Sequence, residues 1–507
     1  MSGKNSPARR LRTASQITAA EKAKELQQLM EETAAAPGSP GQDETVVQVA
    51  VPSELHVYCK SMLGIDVTFV VNEVECTVGD KEVPEHVLSL IKNSMVKKAG
   101  GQEDVPFLGE SDPWCNLVRS LSIEATGTQS KFHFNNFPSS FCFLRNMQSL
   151  HLSNHSFSTL PNIIIQLEKL QELTIEKTKL KSASDLGNGC LALTHLFLND
   201  NRISSISKSF QNLKQLVTLD VSNNQIKDIY SEIASLQLLE HLNLSNNLIS
   251  KLNPDLRTLT NLQFLNVSNN TLGGGFRNRN PLAPVSSMTG LVNLSVANNK
   301  LSSIPSLDLL GNLKILNVSG NLLSEFPVLY RSHALEELDV SDNQISAIPI
   351  AGFKGLDSLQ SLNLSKNKCK FIPSSIEALT NLTSVNLSYN RISTVPDALG
   401  KLPKLAELDI SNNDLMVVQN GVFCDLDNLK KLVLKNNRLS RLPDDFFTMP
   451  GILEIDLSGN TLQDLPKTTV GELCSTLANV LLFNNQLSTL PEYFAHFPLQ
   501  ELQLHDN

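Results

Sequence analysis

The fold class predicted by this sequence is an α/β solenoid, and three observations predict it. The fragment LNLSNNLI at Leu242–Ile249 returns as LNVSNNTL, LDVSDNQI, LNLSKNKC, LDISNNDL and IDLSGNTL, in units that start 22 to 25 residues apart with one exception of 29. Self-similarity at that period marks stacked repeats, each too small to bury its own apolar face. Each unit reads LxxLxLxxN. Apolar residues at positions 1, 4 and 6 with polar residues between them are the pattern of a short strand with one buried face. Position 9 is Asn in fourteen units, from Asn201 to Asn507. A side-chain amide both donates and accepts, so it can satisfy backbone groups where the chain turns out of a strand. Stacking turns those amides into a ladder.

The elements follow in chain order. Residues 1–45 read as a disordered basic tail with one short helix. Lys4, Arg9, Arg10 and Arg12 are its early charges, and no acid occurs in the first 20 residues. Ile17–Thr33 has helical spacing but is too short to stand alone, and AAAPGSPGQ at 34–42 is a linker. Residues 46–116 read as a small α/β cap region, with strands IDVTFVV and VECTV and a helix from Val83 to Lys98. A repeat array needs such a cover over its first unit. The array occupies 117–507, with a degenerate first unit at Val118. Fifteen complete units and one partial unit then start at positions from Met147 to Leu499. His155 and Thr178 replace the ladder Asn in the first two.

The second half of a unit is apolar at 11, 14, 18 and 21, often with Pro at 15, as in Ile392, Val395, Pro396, Leu399 and Leu402. That spacing predicts one short helical or 3-10 turn behind the strand, with Pro at its first position. The 29-residue unit carries an insertion, GGGFRNRNPLAPV, from Gly273 to Val285. The last unit, LQELQLHDN, stops at the ladder Asn, which predicts poor cover for Leu477 and Leu482 and a chain that continues further.

With LxxLxLxxN and the following xxLPxxIxxLxx on the page, residues 147–507 resemble the leucine-rich repeat family, in the style of intracellular Ras-pathway scaffold and Ras-suppressor members. The resemblance implies a leucine-rich repeat horseshoe with a concave parallel β-sheet. It implies no single function.

Net charge is −9 with pI near 5.6, and one Trp and five Tyr leave few stacking platforms, so nucleic-acid binding is not expected. No apolar run is long enough to span a bilayer, and the amino terminus lacks a secretory core. The eight cysteines are scattered, without the clustered caps of extracellular members, which predicts a cytoplasmic, reducing setting. Cys369 falls at position 11 and reads as a buried thiol. Phosphate loops, HExxH and CxxC pairs are absent, so no cofactor, metal or enzymatic activity is expected. The repeated strand Asp and Ser are consensus residues, whereas a catalytic site is singular.

Partner-binding residues are sought among departures from consensus at positions 2, 3, 5, 7 and 8, which are expected to face outward on the sheet. Thr174, Glu176, Lys177, His195, Phe197 and Asp200 form one patch, with Phe197 as aromatic anchor. Phe264 and Tyr389 depart singly. Lys430, Lys431, Val433 and Lys435 make a basic step, Leu481 and Phe483 an apolar one, and Glu336, Glu337, Asp339 and Asp342 an acidic one. Phe276, Arg277 and Arg279 give the insertion an apolar and basic tip. The expected function is an intracellular scaffold or adaptor holding a protein partner on the sheet. The resemblance makes a small GTPase or a phosphatase subunit plausible. The alternative is the regulatory or sensing part of a larger enzyme or receptor with its effector beyond residue 507.

Overall fold

Leucine at position 4 repeats with little variation because it occupies one continuous column of the sheet. Leu196, Leu219, Leu242, Leu265, Leu294 and Leu316 sit opposite one another in successive parallel strands. The computed structural model describes residues 65–70, 120–125, 144–273 and 280–507. The basic tail, the helices expected at Ile17–Thr33 and Val83–Lys98, and Phe276, Arg277 and Arg279 lie outside the described residues.

Strand β1 (Ile65–Val70) pairs antiparallel with β2 (Ser120–Ala125). From β2 onward every strand pairs in parallel with the strand of the next unit. Ser120 and Leu121 lie opposite Ser149 and Leu150 of β3 (Ser149–Ser153), so β2 carries the repeat register one unit upstream of Met147. β4 (Glu172–Glu176) is equally long, and β5 (His195–Phe197) begins the three-residue strands that continue to the last one, Glu501–Gln503. The solenoid core is a single cluster in which positions 1, 4, 6 and 11 are buried unit after unit.

The Asn ladder forms. In the unit starting at Leu216, Asn224 Nδ2 donates to Leu198 O (2.9 Å) of the previous unit and to Val221 O (3.1 Å) of its own. Its Oδ1 accepts the Ile203 N–H of the previous unit (2.8 Å). The same bonds recur at Asn413 and at Asn485. Each amide satisfies groups that the bend out of the strand leaves without sheet partners, inside the core, where an unmade bond costs about 1–3 kcal/mol. His155 and Thr178 stay buried in the two units without the Asn, and the Thr178 hydroxyl donates to Asn201 Oδ1 at 2.5 Å.

Behind the sheet, 3-10 turns form at Lys208–Asn212, Ser231–Ser235, Pro254–Thr258, Ser374–Ala378, Asp397–Lys401 and Glu492–His496. Each buries its position-18 residue, for example Phe210, Ile233 and Leu256. Proline at position 15 differs from expectation. Pro373, Pro396 and Pro491 precede the turn in extended geometry (ψ 148°, 141° and 146°) rather than opening it. The ring holds φ where the chain drops from the flank into the turn. The insertion also differs. Its last residues, Ala283–Val285, belong to a 3-10 turn (Ala283–Ser287) with Pro284 and Val285 buried. At its start Gly273 has φ +85° and its Cβ would lie 2.5 Å from Lys300 O, so only glycine fits there.

The carboxyl-terminal units correct another expectation. Leu477 and Leu482 are fully buried. Tyr493, Phe494 and Phe497 close over this end, joined to Phe447 by ring contacts of 5.5–6.2 Å. The Tyr493 hydroxyl donates to Pro466 O at 2.6 Å.

Candidate partner-binding surface

The open face of the sheet becomes legible once its consensus residues are explained. In nine units the position-5 carboxylate or amide accepts the backbone N–H of position 7, as Asp220 does from Ser222 (2.8 Å) and Asn386 from Ser388 (3.0 Å). This local bond is an Asx turn. It leads into position 8, where the backbone is left-handed in all sixteen units from Asn154 (φ 62°) to Asp506 (φ 57°), including Gly320 and Gly459. Asn, Asp and Gly tolerate that conformation, which costs other residues roughly 1–2 kcal/mol. Lys177 (φ 51°), Lys366 (φ 53°) and Tyr389 (φ 55°) adopt it without that help. Position 7 does not face outward uniformly. Ser153, Ser222, Ser245, Ser268, Ser365, Ser388, Ser411 and Ser458 are buried. Rows 2 and 8 are the most exposed, row 3 mixes exposed and half-buried residues, and row 5 is half-buried.

Besides single departures at His151 and Ser295, two places abandon this consensus over more than one unit. In the units starting at Leu170 and Leu193, position 5 is Thr174 and Phe197, which lie opposite each other with Asp220 next in line. Position 7 is Glu176 and Asn199. Glu176 accepts from Ser153 Oγ (3.1 Å) and Asn199 Nδ2 (3.2 Å) and lies 3.5 Å from Lys177 Nζ. Burial works to raise its pKa, but the Asn199 and Ser153 bonds and the Lys177 and His151 charges overcome it and hold the carboxyl below its ordinary value of 4.5. Asn199 also donates to Asp200 (2.8 Å), so the amide ties two carboxylates together. His195 is exposed at position 3, its Nδ1 2.9 Å from Thr194 Oγ1. Farther along row 3, His241 and Phe264 are neighbours with ring centroids 6.0 Å apart. The aromatic that departs singly in sequence is therefore part of a histidine–phenylalanine stripe.

The second place is near the carboxyl end. Val433 and Leu481 hold position 5, and Lys435 and Phe483 hold position 7. The Lys435 ammonium lies 5.3 Å from the Phe483 ring centre, and Phe483 stacks on His505 at 4.6 Å with planes 7° apart. The basic and apolar steps, separate in sequence, form one column. His505 escaped the sequence reading, although reading position 7 across units reveals it. Lys431 pairs with Glu454 (2.7 Å), whose bond is the main cause of its raised pKa. Lys430 stands at the row-2 edge with Nζ 3.3 Å from Gly451 O. Tyr389 is exposed in row 8, away from both places. In the acidic step, Glu336 is tied to Lys314 at 2.7 Å.

Among the described residues no group of three His, Cys, Asp or Glu side chains could hold a metal ion, and no helix is long and apolar enough to cross a membrane. Burial pushes the Cys190 and Cys369 thiols up to about 12, so neither is a nucleophile. What the open face offers is recognition chemistry: a fixed carboxylate, imidazoles and aromatic faces at one end, an ammonium–aromatic–imidazole column at the other.

Comparison with known proteins agrees with this architecture. A family profile described as "Leucine rich repeat" matches residues 333–392, 373–415, 403–462 and 427–476, and a related two-copy profile matches 192–235. A leucine-rich repeat protein of Leptospira interrogans is similar at 26% identity and TM-score 0.55, over 67% of this chain and 89% of that one. The plant peptide hormone receptor RGFR1, solved in complex with RGF2, is similar at 28% identity and TM-score 0.62, over 77% of this chain. This chain spans 63% of that receptor chain, less than two thirds. An internalin of Listeria monocytogenes is similar at 26% identity and TM-score 0.50, over 57% and 80%. No curated protein sequence matches. Register, Asn ladder and repeat profiles agree: the chain is a leucine-rich repeat solenoid with a parallel sheet open on one face.

Proposed function

We propose that this protein is a non-enzymatic interaction scaffold that holds a protein or peptide partner on the open face of its sheet. One observation carries the reading. The Asx acceptor used by nine units is given up at Thr174 and Phe197, in adjacent units whose position 7 also changes to Glu176 and Asn199. Exchanging a stabilising local bond for an aromatic beside a fixed carboxylate is expected where a partner repays it. The similar plant peptide hormone receptor, solved in complex with RGF2, supports a binding role for such an array.

The finer parts of the proposal are a cytoplasmic setting, a place in signalling, and a resemblance to Ras-pathway scaffold and Ras-suppressor proteins. Small GTPases and phosphatase subunits are the partner classes to try first. Cys190, Cys369, Cys424 and Cys474 are all free, which supports a reducing compartment. The test is affinity capture with the full chain, with Phe197→Asp and with Lys435→Glu. Loss of a specific partner from the Phe197→Asp sample, with the array still folded, is the expected result. Identical partner lists from all three samples would refute this use of the sheet.

A further inference from the structure

Beyond the sheet, one flank of the solenoid departs from its surroundings. In each unit, positions 10 to 13 run down this flank after the ladder Asn. Consecutive units are joined there by backbone bonds: Lys368 N–H to Ile345 O (2.8 Å), Arg391 to Cys369 O (2.9 Å), Asp414 to Ile392 O (3.0 Å) and Arg438 to Leu415 O (2.8 Å). The flank is therefore a continuous ribbon, with adjoining units set one hydrogen-bonded step apart.

Over the units starting at Leu359, Leu382 and Leu405, four large apolar side chains stand out from this ribbon or its row-8 border. Phe371 is 53% exposed, Tyr389 55%, Met416 56% and Val417 59%. They occur in three successive units. Lys366, Lys368, Lys370, Arg391, Arg438 and Arg441 surround them, all exposed. The acid within these position-10-to-13 segments is Asp414, and Arg438 already holds it at 2.7 Å. This cationic, apolar strip lies on a chain whose net charge is −9. Tyr389 and Lys366 also occupy the left-handed position 8, where Asn or Gly is easier. Backbone strain retained for a protruding side chain points to a use for that side chain.

We propose that this flank, over the units starting at Leu359, Leu382, Leu405 and Leu429, docks onto an anionic lipid bilayer. Cations that attract acidic headgroups, interleaved with aromatic and aliphatic side chains that enter the interface, are the chemistry of peripheral membrane attachment. An acidic peptide is the rival occupant. Peptides that rely on apolar anchors seat them in walled grooves. Here the apolar groups belong to the protein and protrude by more than half their surface. A bilayer receives protruding groups without needing a complementary wall.

The test is co-sedimentation of the full chain with phosphatidylcholine vesicles, with and without phosphatidylserine. The native protein is expected to bind the anionic vesicles and release them in high salt. A triple variant, Lys368→Glu with Lys370→Glu and Arg391→Glu, is expected to lose about tenfold or more of the partitioning. Phe371→Ser with Met416→Ser leaves the charge unchanged and is expected to weaken binding several-fold. Phe197→Asp, on the open sheet, is expected to bind like the native protein. Equal binding to neutral vesicles would overturn the proposal. So would anionic-vesicle binding that survives both variants, as it would if the basic residues 4–12 carried it. Failure on vesicles with variant-sensitive capture of polyglutamate would assign the strip to an acidic protein instead.

Discussion

Asn299 shows what a single residue does in this molecule. It donates to Val267 O, Val296 O and Ala297 O, each at 3.0 Å, and accepts the Leu272 N–H at 3.0 Å. Asn299→Ala strands these buried groups and is expected to cost about 2–4 kcal/mol in urea unfolding, in line with penalties for unmade buried hydrogen bonds. Thr174→Asn runs the other way. It places an acceptor where nine other units have one and is expected to raise stability by about 1 kcal/mol, while weakening partner capture if the sheet is used as proposed. Glu176 sets an acid-side dependence. Because its pKa is lowered on folding, its contribution is complete above the ordinary carboxylate range and disappears as pH falls through the lower folded value. Glu176→Gln is expected to reduce stability near neutrality and flatten the acid limb of a stability–pH curve. The ladder amides were legible in sequence because they repeat at a fixed position. The left-handed backbone at position 8 was not. Asn and Asp there looked like surface decoration, so Lys177 and Tyr389 read as surface departures rather than as conformationally costly residues.

At the scale of elements, strands and turns follow directly from the spacing of leucines. The units of 24 or 25 residues were less readable, because an extra residue moves the side chains behind the sheet off the common grid. Phe353 and Phe423 sit at position 19, and each packs edge-on against an aromatic of a neighbouring unit, Phe326 at 5.7 Å and Phe446 at 6.3 Å. Phe447 lies next to Phe446 at 5.3 Å and reaches Tyr493, Phe494 and Phe497. Phe447→Ala is expected to cost about 3–5 kcal/mol, the usual range for a buried aromatic, and to raise hydrogen exchange in the last two units first. The extended prolines had a similar cause. Sequence shows that proline stands near a turn, but whether it opens the turn or precedes it depends on the path of the flank.

Across the whole molecule, stability accumulates between neighbours, because one unit's leucines are buried by the units on either side. A core substitution is therefore expected to act over a short range. Leu362→Ala should destabilise by about 2–5 kcal/mol, with exchange-rate increases centred on the units starting at Leu335, Leu359 and Leu382 and fading toward both ends. Uniform loss of protection along the array would show instead that it unfolds as one cooperative block. The fold was open to sequence reading because periodicity records the stack in every unit. The binding surface was only partly open. Columns such as Lys435–Phe483–His505 join residues dozens of positions apart, and register alone brings them together.

The amide ladder has a direction. Asn224 finishes the bend of the unit upstream of it, accepting from Ile203 and donating to Leu198, and every later amide repeats the arrangement. Excising one coil thus leaves the bend before it without its amide, while the coil after it keeps its own amide but loses the neighbour that amide reached. Fraying should travel toward the amino terminus, like a zip opened from one end, and a shortened version of this protein keeps its last bend intact only if the cut falls just after an asparagine.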